Sequence, residues 1–244
     1  MRELSGKRYW LIGASEGLGR ALAERLSAQG VEVIVSGRNA ARLDDLVQAL
    51  PGPASALPCD VADTGSVMAA ADAAGEIDGM VFLAGVYWPM AAQDWDSSRA
   101  EAMADVNYTG ALRAIGAVLP GMRARGAGHI VLTGSLSGFR GLPGAAAYGS
   151  SKAGVMYLAE ALHADLRGSG LDIQLVNPGF IRTRLTEKNA FRMPFIMDPA
   201  PAADRMVAHM RSFRFTQSFP AIFAALFRGG QFLPDWLYYP IFGR

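Results

Sequence analysis

The sequence predicts an α/β fold of three αβα layers, in which helices cover both faces of a doubly wound parallel sheet. Strand-like and helix-like segments alternate along the chain, as expected of repeated βα units with crossover helices. Several strand-like segments, such as residues 80–83 and 129–132, are largely apolar, which is typical of parallel strands buried on both faces. Because ligands bind such sheets beyond the carboxyl ends of the strands, functional residues are expected in the loops there.

The predicted elements follow in order. Strands are expected near residues 8–12, 31–36, 54–58, 78–84, 128–134, 171–176 and 213–219. Helices are expected at 17–29, 40–49, 64–74, 96–125, 145–168 and 198–211. At 244 residues the chain suffices for one domain, so we interpret residues 1–244 as a single domain. Residues 185–219 then form a substrate loop, a helix and the last strand, and residues 220–244 an aromatic, helical C-terminal extension.

Composition and charge narrow the classes of function. The formal net charge is +1, which gives no electrostatic case for nucleic acid binding. The single cysteine, Cys59, excludes an internal disulfide and suits a reducing, cytoplasmic compartment. The histidines lack ligand-like neighbours, so no metal site is expected; they are His129, His163 and His209. With no signal-peptide core and no apolar run of about 18 residues, neither secretion nor a membrane span is expected.

A glycine-rich turn lies between the first predicted strand and the first predicted helix. Its spacing is G-x-x-x-G-x-G, and its residues include Gly13, Ser15, Glu16, Gly17, Leu18 and Gly19. A strand, a glycine-rich turn and a helix together present free backbone N–H groups to a phosphate at the helix N-terminus. An ordinary turn of a βαβ unit has the same composition, so the motif gains weight only from the rest of the sequence.

Tyr148 and Lys152 stand four residues apart in a predicted helix, so their side chains share one face. The pKa of a tyrosine hydroxyl is ordinarily ~10, and a neighbouring ammonium is expected to lower that pKa. Ser135 follows a predicted strand and would hold a reacting oxygen from the other side. A surface Tyr and Lys produce the same spacing, but together with Ser135 and the glycine-rich turn the pair indicates acid–base chemistry on a carbonyl group.

These motifs together resemble the short-chain dehydrogenase/reductase family, over roughly residues 5–185. The resemblance implies a Rossmann-like fold, an NAD(P) cofactor and hydride transfer between nicotinamide and a carbonyl or secondary alcohol. Further matching positions are Asp60 and Val61, Ala84 and Gly85, Asn107, and Pro178, Gly179, Ile181 and Thr183.

The family also implies a role for each matching position. Asp60 would contact the adenine, and the segment from Pro178 to Thr183 would line the nicotinamide. Asn107, Ser135, Tyr148 and Lys152 would form the catalytic set, with Asn107 holding a water that links Lys152 to solvent.

The chain also departs from the family pattern at two places. Ile12 replaces the usual threonine before the glycine motif, and Phe82 and Leu83 replace two asparagines. Because the family's threonine and asparagine support each other, an apolar replacement of both is expected to affect local packing and to leave catalysis intact.

The choice between NADP and NAD depends on the end of the second predicted strand. NAD-preferring relatives usually carry an acidic residue there, and this chain has Gly37 followed by Arg38. Arg38 could pair with a 2′-phosphate, or it could be a solvated charge at the start of a helix. Glu16 argues the other way, since NADP-preferring relatives often carry a basic residue at that position. NADP is favoured over NAD on balance.

The last part of the chain is rich in aromatic residues. Ten of the 23 aromatic residues lie in the last 32 positions, and such a surface must be buried somewhere. Packing over the substrate cleft or in a subunit interface is favoured, and either arrangement suits an apolar substrate. A peripheral membrane contact is the alternative, with Arg214, Arg228 and Arg244 meeting head groups.

The sequence therefore predicts an enzyme that reduces an apolar ketone or aldehyde with NADPH. A regulator that senses NADP is the alternative, and an incomplete catalytic set would distinguish it; here all four positions are filled. A homodimer or homotetramer is expected, paired through residues 96–125 and 145–168. Small residues available for close approach are Ala100, Ala104, Ala111, Ala114, Ala153 and Ala161.

Overall fold

A computed structural model, which describes residues 1–189 and 191–242, contains one seven-stranded parallel sheet. The strand order is β3-β2-β1-β4-β5-β6-β7. The strands are Arg8–Ile12 (β1), Glu32–Ser36 (β2), Ala54–Ala56 (β3), Gly79–Phe82 (β4), Gly128–Thr133 (β5), Leu171–Pro178 (β6) and Thr216–Phe219 (β7). The doubly wound α/β fold predicted from the sequence is therefore confirmed.

Helices connect the strands and form the outer layers. They are Gly17–Ser27 (α1), Ala40–Ala49 (α2), Thr64–Ala74 (α3), Ser97–Ala104 (α4), Gly110–Arg125 (α5), Ala146–Asp165 (α6), Pro199–Met210 (α7), Ala221–Gly230 (α8) and Asp235–Phe242 (α9). Successive β1 side chains point to opposite faces of the sheet. Tyr9 and Leu11 join the core formed with α1, α2 and α7, and Trp10 and Ile12 join the core formed with α3, α5 and α6.

The apolar departures from the family pattern are packed together in this core. Ile12 and Phe82 are register partners on β1 and β4, and both are fully buried in the same cluster. Two of the three positions where the family has polar residues thus carry apolar side chains on adjacent strands, and the third, Leu83, is half-buried against the core on the other face of the sheet. Their burial leaves none of these positions with an unpaired polar group.

Two predicted elements differ from the structure. The helix predicted at 96–125 is interrupted by a π-helical turn, Asp105–Thr109, which separates α4 from α5. The last strand begins at Thr216, later than the predicted residue 213. The cause is the buried Gln174 side chain, whose amide donates to the carbonyl oxygens of Ser212 and Arg214 at 3.0 and 2.9 Å. These carbonyls therefore turn towards a side chain and do not pair with β6.

The C-terminal extension forms α8 and α9 and is anchored by Arg140. The Arg140 guanidinium donates to the carbonyl oxygens of Gly230 and Leu233, pairs with Asp235, and lies 3.9 Å from the Tyr238 ring centroid. Tyr238 is buried, as the sequence predicts for the aromatic tail.

Other side chains of the extension remain outside the core. Exposed apolar residues of α8, α9 and the turn between them are Ile222, Leu226, Phe232, Trp236, Tyr239 and Ile241. Of the arginines considered for head-group contact, Arg214 and Arg228 are exposed, and Arg244 lies outside the described residues. No helix within the described ranges is long and apolar enough to cross a membrane.

Candidate active site

The glycine-rich turn lies where the strand order of the sheet reverses, between β1 and β4. Gly13 follows β1 with φ +97°, and a Cβ atom there would come within 2.5 Å of the Ala84 nitrogen, just beyond β4. A Cβ at Gly19 would overlap the Gly13 carbonyl oxygen. The turn thus packs tightly enough to require glycine, with its backbone exposed at the start of α1. Such a switch point is where doubly wound sheets bind ligands.

A second predicted cofactor segment meets the same turn. Gly17 has φ +57°, and a Cβ atom at this position would lie 2.8 Å from the Thr183 Cγ2 atom. Thr183 belongs to the segment that follows β6, so the loops that follow β1 and β6 are in contact. The two segments were predicted separately from the sequence, and the fold brings them into contact.

All but one of the predicted site residues line a single cavity of about 1280 Å³. From the first half of the chain these are Gly13, Ser15, Glu16, Gly17, Leu18, Gly19, Arg38, Asp60, Val61, Ala84 and Gly85. From the second half they are Ser135, Tyr148, Lys152, Pro178, Gly179, Ile181 and Thr183. Asn107 does not reach the cavity surface.

Tyr148 and Ser135 lie side by side in this cavity. Burial raises the pKa of the Tyr148 hydroxyl to about 12, against the lowering effect of a hydrogen bond with the Ser135 hydroxyl. The Ser135 oxygen accepts from the Ser137 amide and hydroxyl at 3.2 and 2.9 Å. With its oxygen held in this way, the Ser135 hydroxyl keeps its own proton free to donate.

The Lys152 ammonium lies beside Tyr148 and is held by a backbone carbonyl. Its Nζ atom donates to the Thr133 carbonyl at 2.9 Å and lies 6.0 Å from the Tyr148 ring centroid. Burial lowers the pKa of Lys152 to about 8. Burial is the largest influence on the Tyr148 pKa in this arrangement, and the lowering of that pKa by Lys152 stays a prediction.

Asn107 is fully buried in the π-helical turn and its amide is used within the protein. The Val86 amide donates to Asn107 Oδ1 at 2.7 Å, and Asn107 Nδ2 donates to the Val86 carbonyl at 3.0 Å and to Ser151 Oγ at 3.0 Å. The side chain therefore fixes the backbone after β4. The water-holding role that the family resemblance implies for Asn107 stays a prediction, and its side-chain amide is already engaged within the protein.

Glu16 is neutralised by two arginines that the sequence analysis did not identify. Arg42 Nη1 lies 2.5 Å from Glu16 Oε2, and Arg184 Nε lies 2.8 Å from the same oxygen. Both arginines line the cavity, as does the exposed Arg38. Two guanidinium groups thus pair with the Glu16 carboxylate, and a third, that of Arg38, lines the same cavity, whereas an unpaired acidic residue would repel a phosphate. Arg42 lies in the first turn of α2, four residues after Arg38, and this nearness to the end of β2 is the signal that could have revealed it.

The other end of the cavity is apolar. Its lining residues from the loop after β4, the loop after Ser135, the segment after β6 and α8 are Tyr87, Met90, Leu142, Pro143, Phe180, Phe191, Phe223 and Phe227. Phe223 and Phe227 contact edge to face at 4.8 Å between ring centroids. The C-terminal extension therefore forms one wall of the cleft through α8.

Comparison with known proteins identifies the family. The family model described as short chain dehydrogenase matches residues 7–192. The chain belongs to the short-chain dehydrogenase family. An uncharacterized oxidoreductase of Myxococcus xanthus is 38% identical over 245 residues, which covers 98% of this chain and 97% of that protein. The prediction that the chain is an NAD(P)-dependent dehydrogenase or reductase is therefore confirmed.

Solved structures show the same fold along the whole chain. A short-chain dehydrogenase from Burkholderia cenocepacia in complex with NADP has a TM-score of 0.88 at 24% identity and covers 99% of each chain. A 3-oxoacyl-[acyl-carrier protein] reductase from Brucella melitensis with bound NAD has a TM-score of 0.79 at 24% identity, covering 89% of this chain and 90% of that one.

Proposed function

We propose that this short-chain dehydrogenase uses NADPH to reduce an apolar ketone or aldehyde to the alcohol. The observation that carries the proposal is the position of the Tyr148 and Ser135 hydroxyls, which lie in one cavity with the glycine-rich turn and an apolar wall. A carbonyl carbon bound there would have a proton donor at its oxygen and space for a nicotinamide.

The cavity residues fit a nicotinamide dinucleotide. Glu16 at the N-cap of α1 makes no side-chain capping hydrogen bond, so the backbone N–H groups of the first helical turn would be available to hold the pyrophosphate. Asp60 would contact the adenine, Lys152 the nicotinamide ribose, and the segment from Pro178 to Thr183 the nicotinamide ring. When bound, the reduced nicotinamide supplies the hydride.

The protein's own contribution is orientation and proton supply. Tyr148 donates its hydroxyl proton to the carbonyl oxygen, and a raised pKa keeps that proton on the tyrosine until the oxygen becomes basic. Ser135 donates a hydrogen bond to the same oxygen and stabilises the developing negative charge. Lys152 is buried with its ammonium held by Thr133, so it would supply positive charge as Tyr148 loses its proton.

The preference for NADP rests on the arginines around Glu16. A ribose 2′-phosphate at the end of β2 would meet Arg38, which has no hydrogen bond or ion pair among the described residues, and Arg42. Charge-assisted contacts of this kind are the strong ones in proteins. Since Arg42 and Arg184 already compensate the charge of Glu16, the carboxylate that argued for NAD in the sequence has little remaining repulsion for a phosphate.

The proposal is tested by a turnover screen of apolar ketones and secondary alcohols with NADPH and NADH, alongside fluorescence titration of each cofactor. We expect NADPH to bind more tightly and to be consumed with at least one apolar ketone. Tight NADPH binding without turnover of any carbonyl would favour the NADP-sensing alternative. Absence of binding by either cofactor would contradict the proposed function.

A further inference from the structure

Tyr87 occupies a central place in the site, and the catalytic set does not include it. It follows Val86, whose backbone N–H and carbonyl are both held by the Asn107 amide at 2.7 and 3.0 Å. Because Asn107 is buried in the π-helical turn, this pair of hydrogen bonds fixes the backbone immediately before Tyr87. The position of the Tyr87 ring is thus set by the interior of the protein.

The Tyr87 ring contacts the catalytic tyrosine. The ring centroids of Tyr87 and Tyr148 lie 4.9 Å apart with an interplanar angle of 65°, an edge-to-face contact. Both rings pack against the apolar cluster around Met90 and line the cavity. Aromatic contacts of this geometry are favourable beyond simple burial, so Tyr87 restricts the orientation of Tyr148.

The hydroxyl of Tyr87 contacts the substrate loop, which we define as residues 182–189 and 191–197. It donates to Asn189 Oδ1 at 2.9 Å. A second attachment is made by Lys188, whose Nζ donates to the Tyr87 carbonyl at 2.7 Å and lies 4.6 Å from the Trp88 ring centroid. The middle of the loop is therefore attached to the segment that follows β4.

We propose that Tyr87 is a positioning residue that links the substrate loop to Tyr148. Its hydroxyl holds the loop through Asn189, and its ring holds the catalytic tyrosine in the cleft. The inference rests on the proposed function only in taking Tyr148 as the proton donor. The two contacts of Tyr87 are separable, because Tyr87→Phe removes the first and keeps the second.

Limited trypsin digestion tests the loop contact without any substrate. Arg192 is exposed in the loop, so its cleavage rate reports how often the loop opens. Loss of one hydrogen bond of ~0.5–1.5 kcal/mol should accelerate cleavage about 2- to 10-fold in Tyr87→Phe and in Asn189→Ala. Asn189→Ala also removes the 3.2 Å contact of Asn189 Nδ2 with Met193 Sδ, so the double variant should cleave no faster than Asn189→Ala. Tyr157→Phe, an exposed tyrosine of α6, is the matched control and should cleave as wild type does.

Kinetics with a ketone that the wild type reduces test the contact with Tyr148. In Tyr87→Phe the pH profile of kcat/KM should match that of wild type, because the ring remains. In Tyr87→Ala the profile should move to lower pH, because water then reaches Tyr148 and the loss of burial lowers its pKa. Unchanged cleavage in Tyr87→Phe, or an unchanged profile in a folded Tyr87→Ala, would overturn the inference. A wild type that reduces no carbonyl would contradict the proposed function alone, since the proteolysis result would still stand.

Discussion

Replacing Arg42 with alanine should weaken the binding of NADPH and leave that of NADH nearly unchanged. Arg42 lies in the first turn of α2, lines the cavity and pairs with Glu16 at 2.5 Å. A hydrogen bond between charged groups contributes ~1.5–3 kcal/mol, and the lower value applies here because the Arg42 side chain is 41% exposed. At about 1.4 kcal/mol per tenfold change, the Kd for NADPH should rise about tenfold. The lost ion pair with Glu16 contributes only ~0–1 kcal/mol at this exposure, so it does not mask the effect.

The assay is titration of nicotinamide fluorescence with NADPH and with NADH. The Kd for NADH should stay within about twofold of wild type, since NADH lacks the 2′-phosphate that Arg42 would contact. Arg38→Ala should also raise the Kd for NADPH. Glu16→Gln should lower that Kd, because it releases Arg42 from its ion pair. Arg123→Ala, an exposed arginine of α5, is the matched control and should change neither Kd. Equal weakening of both cofactors by Arg42→Ala would refute the reasoning and leave Arg42 as a structural residue.

Three further outcomes are expected. Burial lowers the pKa of His129 from 6.5 to about 3, so the folded state binds fewer protons than the unfolded state in that interval. The free energy of unfolding should fall by about 1.4 kcal/mol per pH unit as pH drops below 6.5, and chemical denaturation of His129→Gln should show a shallower slope. Light scattering at micromolar concentration should report at least a dimer, and Tyr157→Asp on the exposed face of α6 should shift it towards monomer; a wild-type monomer would contradict the predicted pairing. Deleting residues 220–244 should raise KM for bulky ketones and leave NADPH affinity unchanged, because Phe223 and Phe227 line the cleft. Salt-sensitive co-sedimentation of the intact chain with anionic liposomes would instead support a membrane contact.

The dimer prediction loses part of its original basis in the structure. Ala100, Ala111 and Ala114 are buried in the chain's own core, so they cannot contact a second copy. The exposed alternatives on these helices are Ala104, Ala161, Leu112 and Tyr157. Helical spacing in the sequence predicts where helices form. Which face of a helix is exposed depends on the face that packs against the sheet, and the spacing alone does not give this.

The catalytic and glycine motifs could be predicted because they are local. The G-x-x-x-G-x-G turn and the Tyr148–Lys152 spacing each lie within one βα unit, where sequence distance sets spatial distance. The contacts of Glu16 could not be predicted in the same way. Arg42 and Arg184 are 26 and 168 residues away, and only the packing of α2 and the segment after β6 brings them to it.

Competition from side chains explains the remaining differences. The Lys152 ammonium donates to the Thr133 carbonyl. The carbonyl oxygens of Ser212 and Arg214 accept from the Gln174 amide, so the last strand begins after them. In both cases a buried polar group takes the nearest backbone partner, because leaving such a group unpaired costs ~1–3 kcal/mol. Local sequence patterns do not reveal which backbone group will be nearest.

Turnover by Tyr148→Phe tests the central claim most directly. The variant keeps the ring in contact with Tyr87 and loses the hydroxyl that would donate the proton. With a ketone that the wild type reduces, kcat/KM should fall by ~10²–10⁴-fold, the usual contribution of general acid catalysis, while the Kd for NADPH stays unchanged. Turnover close to that of wild type, with the same substrate and the same cofactor, would contradict the assignment of Tyr148 as the proton donor.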